Sequence, residues 1–157
     1  MAFSTVPPAP ASPEDTVVAV DDWYPPIDCN AMRDALRLGT TVTHTRLVAA
    51  IEGGLLSVTA DLAAWRAEKQ AAGAAGLDQV APDEQLGGEN RLVLLFTRAV
   101  RFAAAAELAE LHRDLSATND GASRADAQLL SAAEYQRLRI GAVRDILGVS
   151  RVAVELI

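Results

Sequence analysis

The fold is decided by residues 23–53, WYPPIDCNAMRDALRLGTTVTHTRLVAAIEG, in which two helices with their end signals follow one another directly. An aromatic pair runs into two prolines, and Asp28 is placed to cap the first helix, for which Gly39 can supply a left-handed end. Thr43 is placed to cap a second helix that opens on an amphipathic run. The stretch therefore predicts a helical domain that starts near Trp23.

Hydrophobic spacing predicts about four helices in all, at residues 28–38, 43–72, 89–116 and 125–147. The second helix carries an apolar seam that Gly53 and Gly54 interrupt, so we expect a bend, a break or a close helix crossing there. The third helix is apolar over two adjacent seams, and we expect it at the centre of the domain. The sequence thus predicts an all-α fold, an antiparallel bundle of about four helices.

The two ends of the chain differ from this helical part. Residues 1–22 begin with a proline-rich stretch that cannot bury enough surface to offset its ordering entropy, and we expect a disordered extension. Residues 16–20 are β-branched and form a strand only if a partner edge is available. Residues 151–157, RVAVELI, alternate with period two and predict a short β-strand. The predicted organisation is an extension at 1–22, a helical domain at 23–150 and a docking strand at 151–157.

Composition argues against several function classes. The net charge of −7 and a pI near 4.7 argue against a protein that wraps nucleic acid through dense phosphate contacts. The single cysteine, Cys29, excludes an internal disulfide and a cysteine-based metal cluster. We expect no membrane span, because the most apolar run, residues 92–96, is followed by Arg98 and Arg101. The N-terminus also lacks the basic and apolar segments of a signal peptide.

Residues suited to catalysis are sparse. His44 and His112 lie on different predicted helices, with no cysteine nearby to complete a metal site. Cys29 lies near a helix start, where the helix dipole can lower a thiol pKa, but no base is assigned to it. No glycine group follows a strand in a phosphate-binding pattern. We therefore expect no enzyme activity, no catalytic residue, no metal site and no cofactor.

Residues 74–88 form a predicted loop that is long for a compact domain, and loops of this length are usually functional. Its acidic residues Asp78, Asp83 and Glu84 are candidates for contact with a neighbouring subunit. Arginines recur along the second half of the chain. Ordinary ion pairs along the helices and salt bridges between subunits of a ring are both open explanations.

The order and spacing of several motifs resemble the head completion protein family of tailed bacteriophages, over roughly residues 23–157. The motifs are the aromatic-proline entry at 23–28, Arg33 with Arg37-Leu38, residues 41–43 with Arg46-Leu47, Ala49-Ala50-Ile51 before Gly53, Trp65-Arg66 with Glu68-Lys69, Ala71-Ala72-Gly73, Leu77, Val80, Pro82 and residues 94–105. The chain differs from the family in its higher alanine content and in its fourth helix.

The resemblance implies a helical head-tail connector that binds the portal protein after genome packaging. Such a protein forms a homo-oligomeric ring matching the portal symmetry, stabilises the filled head and offers a docking surface to tail terminator or neck proteins. It is a virion protein of the head-tail neck, present in the host cytoplasm during assembly. Packaged DNA passes through without sequence-specific contact, and no membrane is involved.

Within this family picture, the loop acids Asp78, Asp83 and Glu84 would face an adjacent subunit or line the channel. The C-terminal segment would bind the portal protein by strand addition, through Arg151, Val152, Val154, Leu156 and Ile157. An alternative for this segment is pairing with residues 16–20 of the same chain, although a two-stranded ribbon is marginal by itself.

Two other function classes remain open. One is a cytoplasmic helical oligomerising adaptor unrelated to phage assembly. The other is a small helical DNA-binding regulator, which would need a basic recognition helix, whereas the predicted first helix is too acidic and apolar to read a groove well.

Overall fold

The computed structural model describes residues 12–39, 42–116 and 130–149, without the side chains of residues 112–116. Within these residues the chain forms four helices, α1 (Cys29–Leu36), α2 (His44–Ala71), α3 (Arg91–Ser116) and α4 (Ala132–Leu147). Four two-residue strands, β1 (Val17–Val18), β2 (Ile27–Asp28), β3 (Gln85–Leu86) and β4 (Glu89–Asn90), form two antiparallel pairs, β1 with β2 and β3 with β4. The mainly helical fold with four helices is confirmed. The antiparallel bundle order stays a prediction, and the predicted strand at 151–157 lies outside the described residues.

Helix α1 begins where the sequence places its cap, because the Asp28 carboxylate accepts a hydrogen bond from the Ala31 N–H at 2.7 Å. It ends at Arg37, which adopts a left-handed conformation with φ of 51°. The helix thus ends two residues before Gly39, the expected end. The early turn lets Leu38 pack partly buried against the core.

Helix α2 is one continuous helix, and its glycines allow a close crossing rather than a break. Thr43 caps its start by accepting a hydrogen bond from the Arg46 N–H. Gly54 is buried, and a Cβ atom built there would lie 3.0 Å from the Val100 carbonyl oxygen and 3.2 Å from the Ala104 nitrogen. The backbones of α2 and α3 therefore approach each other too closely for a side chain at this position.

Helix α3 contacts all three other helices, most extensively α4 and α2. Its buried residues cover a wide face and are mostly small, namely Leu92, Phe96, Ala99, Val100, Ala103, Ala104, Ala105, Ala106 and Leu108. Small side chains on this face permit the short distance between helices that Gly54 also requires. The alanine-rich composition is therefore explained by close helix packing.

Helix α4 begins later than the sequence suggested. Ser131 forms a capping box with Glu134, so the helix starts at Ala132 rather than near residue 125. Its buried residues are Tyr135, Ala142, Val143 and Ile146, whereas Ile140 is 47% exposed. The Arg139 guanidinium pairs with the Asp61 carboxylate of α2, which fixes the rotation of α4.

An arginine and an aromatic pair join the start of the domain to α2. The Arg66 guanidinium lies 5.0 Å from the Trp23 ring centroid and 4.9 Å from the Tyr24 centroid, and it pairs with Asp21 at 2.7 Å. Tyr24 stacks on Phe96 of α3 at 4.6 Å between centroids. We call Asp21, Trp23, Tyr24 and Arg66 the entry cluster. It explains why the aromatic-proline motif precedes the helical domain.

Residues 12–22 contact the domain, which differs from the expected disordered extension at 1–22. Ser12 is buried and exchanges hydrogen bonds with the Asn30 side chain, while its hydroxyl lies 2.9 Å from His44 Nδ1. Strand β1 then pairs with β2, and the Thr16 carbonyl accepts the Cys29 N–H. The partner edge that this β-branched segment needs is thus β2. Residues 1–11 lie outside the described residues.

By length and composition, α2 is apolar enough to cross a membrane, although the sequence led us to expect no such helix. Its large apolar residues Leu47, Ile51, Leu55, Val58 and Leu62 are buried in the core of the domain. One such helix is weak evidence for a span, because the core helix of a soluble protein meets the same criteria.

The substitution Gly54→Leu should lower the free energy of unfolding by about 1–3 kcal/mol, because an added side chain overpacks the α2–α3 contact. Ala60→Leu, at an exposed position of the same helix, is the control and should change stability by less than about 0.5 kcal/mol. Urea unfolding followed by circular dichroism measures both, and equal stability of the two variants would contradict the close crossing.

A partly buried carboxyl group, Glu107 of α3, lies over Gly53 of α2. Burial raises the pKa of Glu107 above its ordinary value, and the neighbouring Glu110 carboxylate adds to the rise. Because the folded protein binds this proton more tightly than the unfolded chain, stability is lost as pH rises through the raised pKa. Glu107→Gln should therefore be more stable than the parent at pH 7, and the difference should shrink as the pH falls towards 4.5. Thermal unfolding across this pH range tests the effect, and a constant difference would contradict it.

Candidate functional site

The predicted loop at residues 74–88 has a defined structure that leads into a β-hairpin. Strands β3 and β4 pair antiparallel, with Gln85 opposite Asn90 and Leu86 opposite Glu89. The two residues between the strands, Gly87 and Gly88, have φ values of 63° and 86°. A two-residue hairpin turn with positive φ at both positions favours glycine there. The segment before α3 therefore has a defined shape.

Asn90 holds the hairpin against α3. Its side chain is buried and its Nδ2 donates to the carbonyl oxygens of Asp78 at 3.1 Å and Ala81 at 2.8 Å. Its Oδ1 accepts hydrogen bonds from the N–H groups of Leu92 and Val93, which caps the start of α3. One side chain thus satisfies both the loop carbonyls and the helix end.

The other end of the segment is attached to the entry cluster. The Trp23 carbonyl accepts the Leu77 N–H at 2.9 Å, and the Trp23 indole Nε1 donates to the Ala74 carbonyl at 3.3 Å. Leu77 is fully buried in the core within the 310 turn Leu77–Gln79. Both ends of the segment are therefore fixed, and the β3–β4 hairpin extends from a rigid base.

The hairpin presents an apolar residue within a group of acids. Leu86, beside the turn, is 68% exposed. The side chains of Asp83, Glu84 and Glu89 are exposed around it. Glu84 pairs with Arg91 at 2.8 Å, an exposed ion pair that contributes little to stability. Such an arrangement can bind another surface.

The structure describes the predicted loop acids but not the predicted docking strand. All three are exposed, Asp78 within the 310 turn and Asp83 and Glu84 between that turn and the hairpin. Arg151, Val152, Val154, Leu156 and Ile157 lie outside the described residues. Leu86 and Asn90 were not predicted as functional residues. The paired glycines after Leu86 were the available indication of a hairpin.

Two of the residues considered for catalysis have described side chains, Cys29 and His44. Burial raises the pKa of the Cys29 thiol, and the nearby Asp28 charge adds to the rise, so the thiol is held protonated. His44 contacts the Ser12 hydroxyl, and the side chain of His112 is not described. Within residues 12–39, 42–111 and 130–149, histidine, cysteine and acidic side chains form no group able to hold a metal ion.

The chain matches a known protein family over most of its length. The model of the phage head completion protein (GPL) family matches residues 18–157 of the chain. The head completion/stabilization protein of Escherichia phage P2 is 35% identical over 160 residues, covering 95% of this chain and 94% of that protein. No solved structure matches the chain significantly.

The chain therefore belongs to the phage head completion protein family. Its role is structural, in completing the phage head, and it is a component of the virion. The family is not known for enzyme activity, and its role implies contact with other head and tail components.

Asn90→Ala should lower the free energy of unfolding by about 1–3 kcal/mol, since it removes the cap of α3 and leaves two loop carbonyls without a partner. Asn90→Asp keeps the cap acceptor, but its second carboxylate oxygen would face the Asp78 and Ala81 carbonyl oxygens and repel them, so this variant should also be destabilised. Amide hydrogen exchange in residues 78–90 should increase in both variants. Unchanged exchange in this segment would show that Asn90 does not hold the hairpin.

Proposed function

We propose that this head completion protein binds the portal vertex after DNA packaging as a homo-oligomeric ring around the channel axis. In this position it stabilises the filled head and offers a docking surface to tail terminator or neck proteins. The observation that carries the proposal is the β3–β4 hairpin, a rigid element that presents Leu86 to an outside surface. Membership of the head completion family supports the same role.

The acidic balance suits a protein beside a DNA channel. The chain has a net charge of −7, and Asp78 and Asp83 are exposed on the 74–90 segment. Among the described residues neither of these two carboxylates has an ion-pair partner, whereas Glu84 pairs with Arg91. Negative charge repels phosphate, so packaged DNA would pass such a surface without sequence-specific contact. These acids would therefore face the channel or an adjacent subunit.

The proposed anchor on the portal protein is the segment Arg151, Val152, Val154, Leu156 and Ile157. Its period-two pattern suits strand addition, in which main-chain hydrogen bonds give affinity and alternate side chains fill pockets. The alternative partner within the chain, residues 16–20, already pairs along one edge, because Val17–Val18 forms β1 beside β2. Pairing of the C-terminal segment with residues 16–20 would therefore add a third strand to this pair and stays the alternative.

The adaptor function unrelated to phage assembly is not favoured, because the chain belongs to a phage head completion family. We propose that the protein assembles in the host cytoplasm before it enters the head-tail neck of the virion. We also propose that the four helices form an antiparallel bundle, which would present the hairpin at one end.

Deleting residues 151–157 should leave a folded protein that no longer joins portal complexes, and phage carrying the deletion should produce heads that lose DNA. Deleting residues 1–11 is the control and should leave portal binding unchanged, because its proline-rich composition suits a dispensable tail. Co-sedimentation with purified portal rings and the DNA content of heads are the measurements. Unchanged portal binding after the first deletion would move the anchor to the helices.

A further inference from the structure

Arg33 is a buried arginine without a carboxylate partner. It lies in the last turn of α1, and only 4% of the residue is exposed. One guanidinium nitrogen, Nη1, donates to the Val42 carbonyl oxygen at 2.9 Å. The other two, Nε and Nη2, are buried and have no hydrogen-bond partner among the described residues. Arginine is rarely buried unless it is paired, so Arg33 lacks the counter-charge that burial normally requires.

The acids of α1 do not supply this counter-charge. Asp28 lies at the start of the helix, where its carboxylate accepts the Ala31 N–H. Asp34 follows Arg33 directly in the sequence, but its side chain is exposed to solvent. The C-terminal end of the α1 dipole carries roughly half an elementary charge, so it offsets the guanidinium only in part. Part of the positive charge of Arg33 therefore stays uncompensated within the described chain.

Two other arginines that have a buried, unpartnered Nε atom differ from Arg33 in this respect. The Arg66 guanidinium pairs with Asp21 at 2.7 Å. Arg101 lines a shallow groove between β2, α1 and α3 together with two acids, Asp28 and Glu89. In both cases the chain itself places carboxylates with the arginine.

The start of α2 adds positive charge next to Arg33. The Val42 carbonyl that Arg33 binds is followed directly by Thr43, the N-cap of the 28-residue helix α2. A helix N-terminus carries a partial positive charge and N–H groups that have no partner inside the helix, and both attract anions. A guanidinium and a helix N-terminus therefore lie together, and an anion beside them would be stabilised by both.

The two unpartnered nitrogens of Arg33 have the geometry that an oxyanion needs. Nε and Nη2 lie on one edge of the planar guanidinium, so their N–H groups form a fork. A carboxylate or a phosphate accepts both N–H groups through two of its oxygens. Because only 4% of Arg33 is exposed, the ligand must be small, and a broad protein or DNA surface does not fit.

We propose that Arg33 and the N-terminus of α2 form a binding site for one small oxyanion, inorganic phosphate or a small carboxylate. Nε and Nη2 of Arg33 bind two of its oxygens, and the helix N-terminus stabilises its charge. The bound anion links α1 to α2. This site does not depend on ring formation or on portal binding, so its absence would leave the proposed function standing.

NMR titration of the unmodified protein tests the site directly. The Arg33 Nε–H signal is followed while sodium phosphate replaces sodium chloride at constant ionic strength and pH. A saturable shift of this signal is expected, with no saturable shift at Arg37, which is exposed on the same stretch of chain. A second titration uses sodium acetate, which offers a carboxylate. Saturation by one or both anions supports the site and identifies the ligand class, whereas no saturable shift with either would overturn the inference.

Thermal unfolding of matched variants separates anion binding from a purely structural role of Arg33. Phosphate stabilises many proteins through the solvent, so the measured quantity is the Tm difference between parent and variant at each phosphate concentration. This difference should grow with phosphate for Arg33→Met, because only the parent binds the anion. It should stay constant for the control Arg37→Met. A constant difference for both variants would overturn the inference, and if Arg33→Met does not fold, the titration of the unmodified protein decides.

The conservative variant Arg33→Lys tests the fork itself. Lysine keeps the positive charge but lacks the planar edge with two N–H groups, so the half-saturating phosphate concentration should rise about tenfold. Arg37→Lys should leave it within about twofold of the parent value. The backbone N–H signals of Thr43 and His44, at the start of α2, report binding in both variants. Equal half-saturating concentrations in Arg33→Lys and the parent would overturn the bidentate contact.

Discussion

Much of the described structure depends on one cation, the Arg66 guanidinium, which lies over both the Trp23 and Tyr24 rings and pairs with the Asp21 carboxylate. Through this contact the start of the domain is fixed to α2. Tyr24 also contacts α3, because its ring stacks on Phe96. Trp23 forms two hydrogen bonds with the 74–90 segment, so this segment is fixed to the same cluster. A planar guanidinium can stack on two rings while it pairs with a carboxylate, and lysine cannot reproduce that geometry.

Local signals in the sequence predicted the helix ends well. Asp28 and Thr43 act as caps, because a cap is formed within three residues. The start of α4 was misplaced although Ser131 and Glu134 show the capping-box spacing. The hairpin was missed because each strand has only two residues, too few for a period-two pattern. Gly54 could be read as a break or a crossing, and tertiary packing decides between them.

The candidate site was predictable in position but not in its determining residues. A long segment with Asp78, Asp83 and Glu84 indicated an exposed functional loop, and the structure exposes all three acids. The importance of Leu86 could not be predicted, because an isolated leucine in a sequence is more often buried than exposed. Arg101 is equally unremarkable on a helix surface until β2 and α1 form a groove around it. The exposure of Leu86 and the position of Arg101 in a groove both depend on tertiary structure.

The fixed conformation of the 74–90 segment connects the fold of the domain with its role in assembly. A free loop of this length would lose conformational entropy on binding, and that loss would weaken each contact in an assembled head. Here Asn90 and Trp23 hold the segment within the monomer, so much of that entropy is lost when the domain folds. The hairpin can therefore bind through a small surface, a single leucine with neighbouring acids.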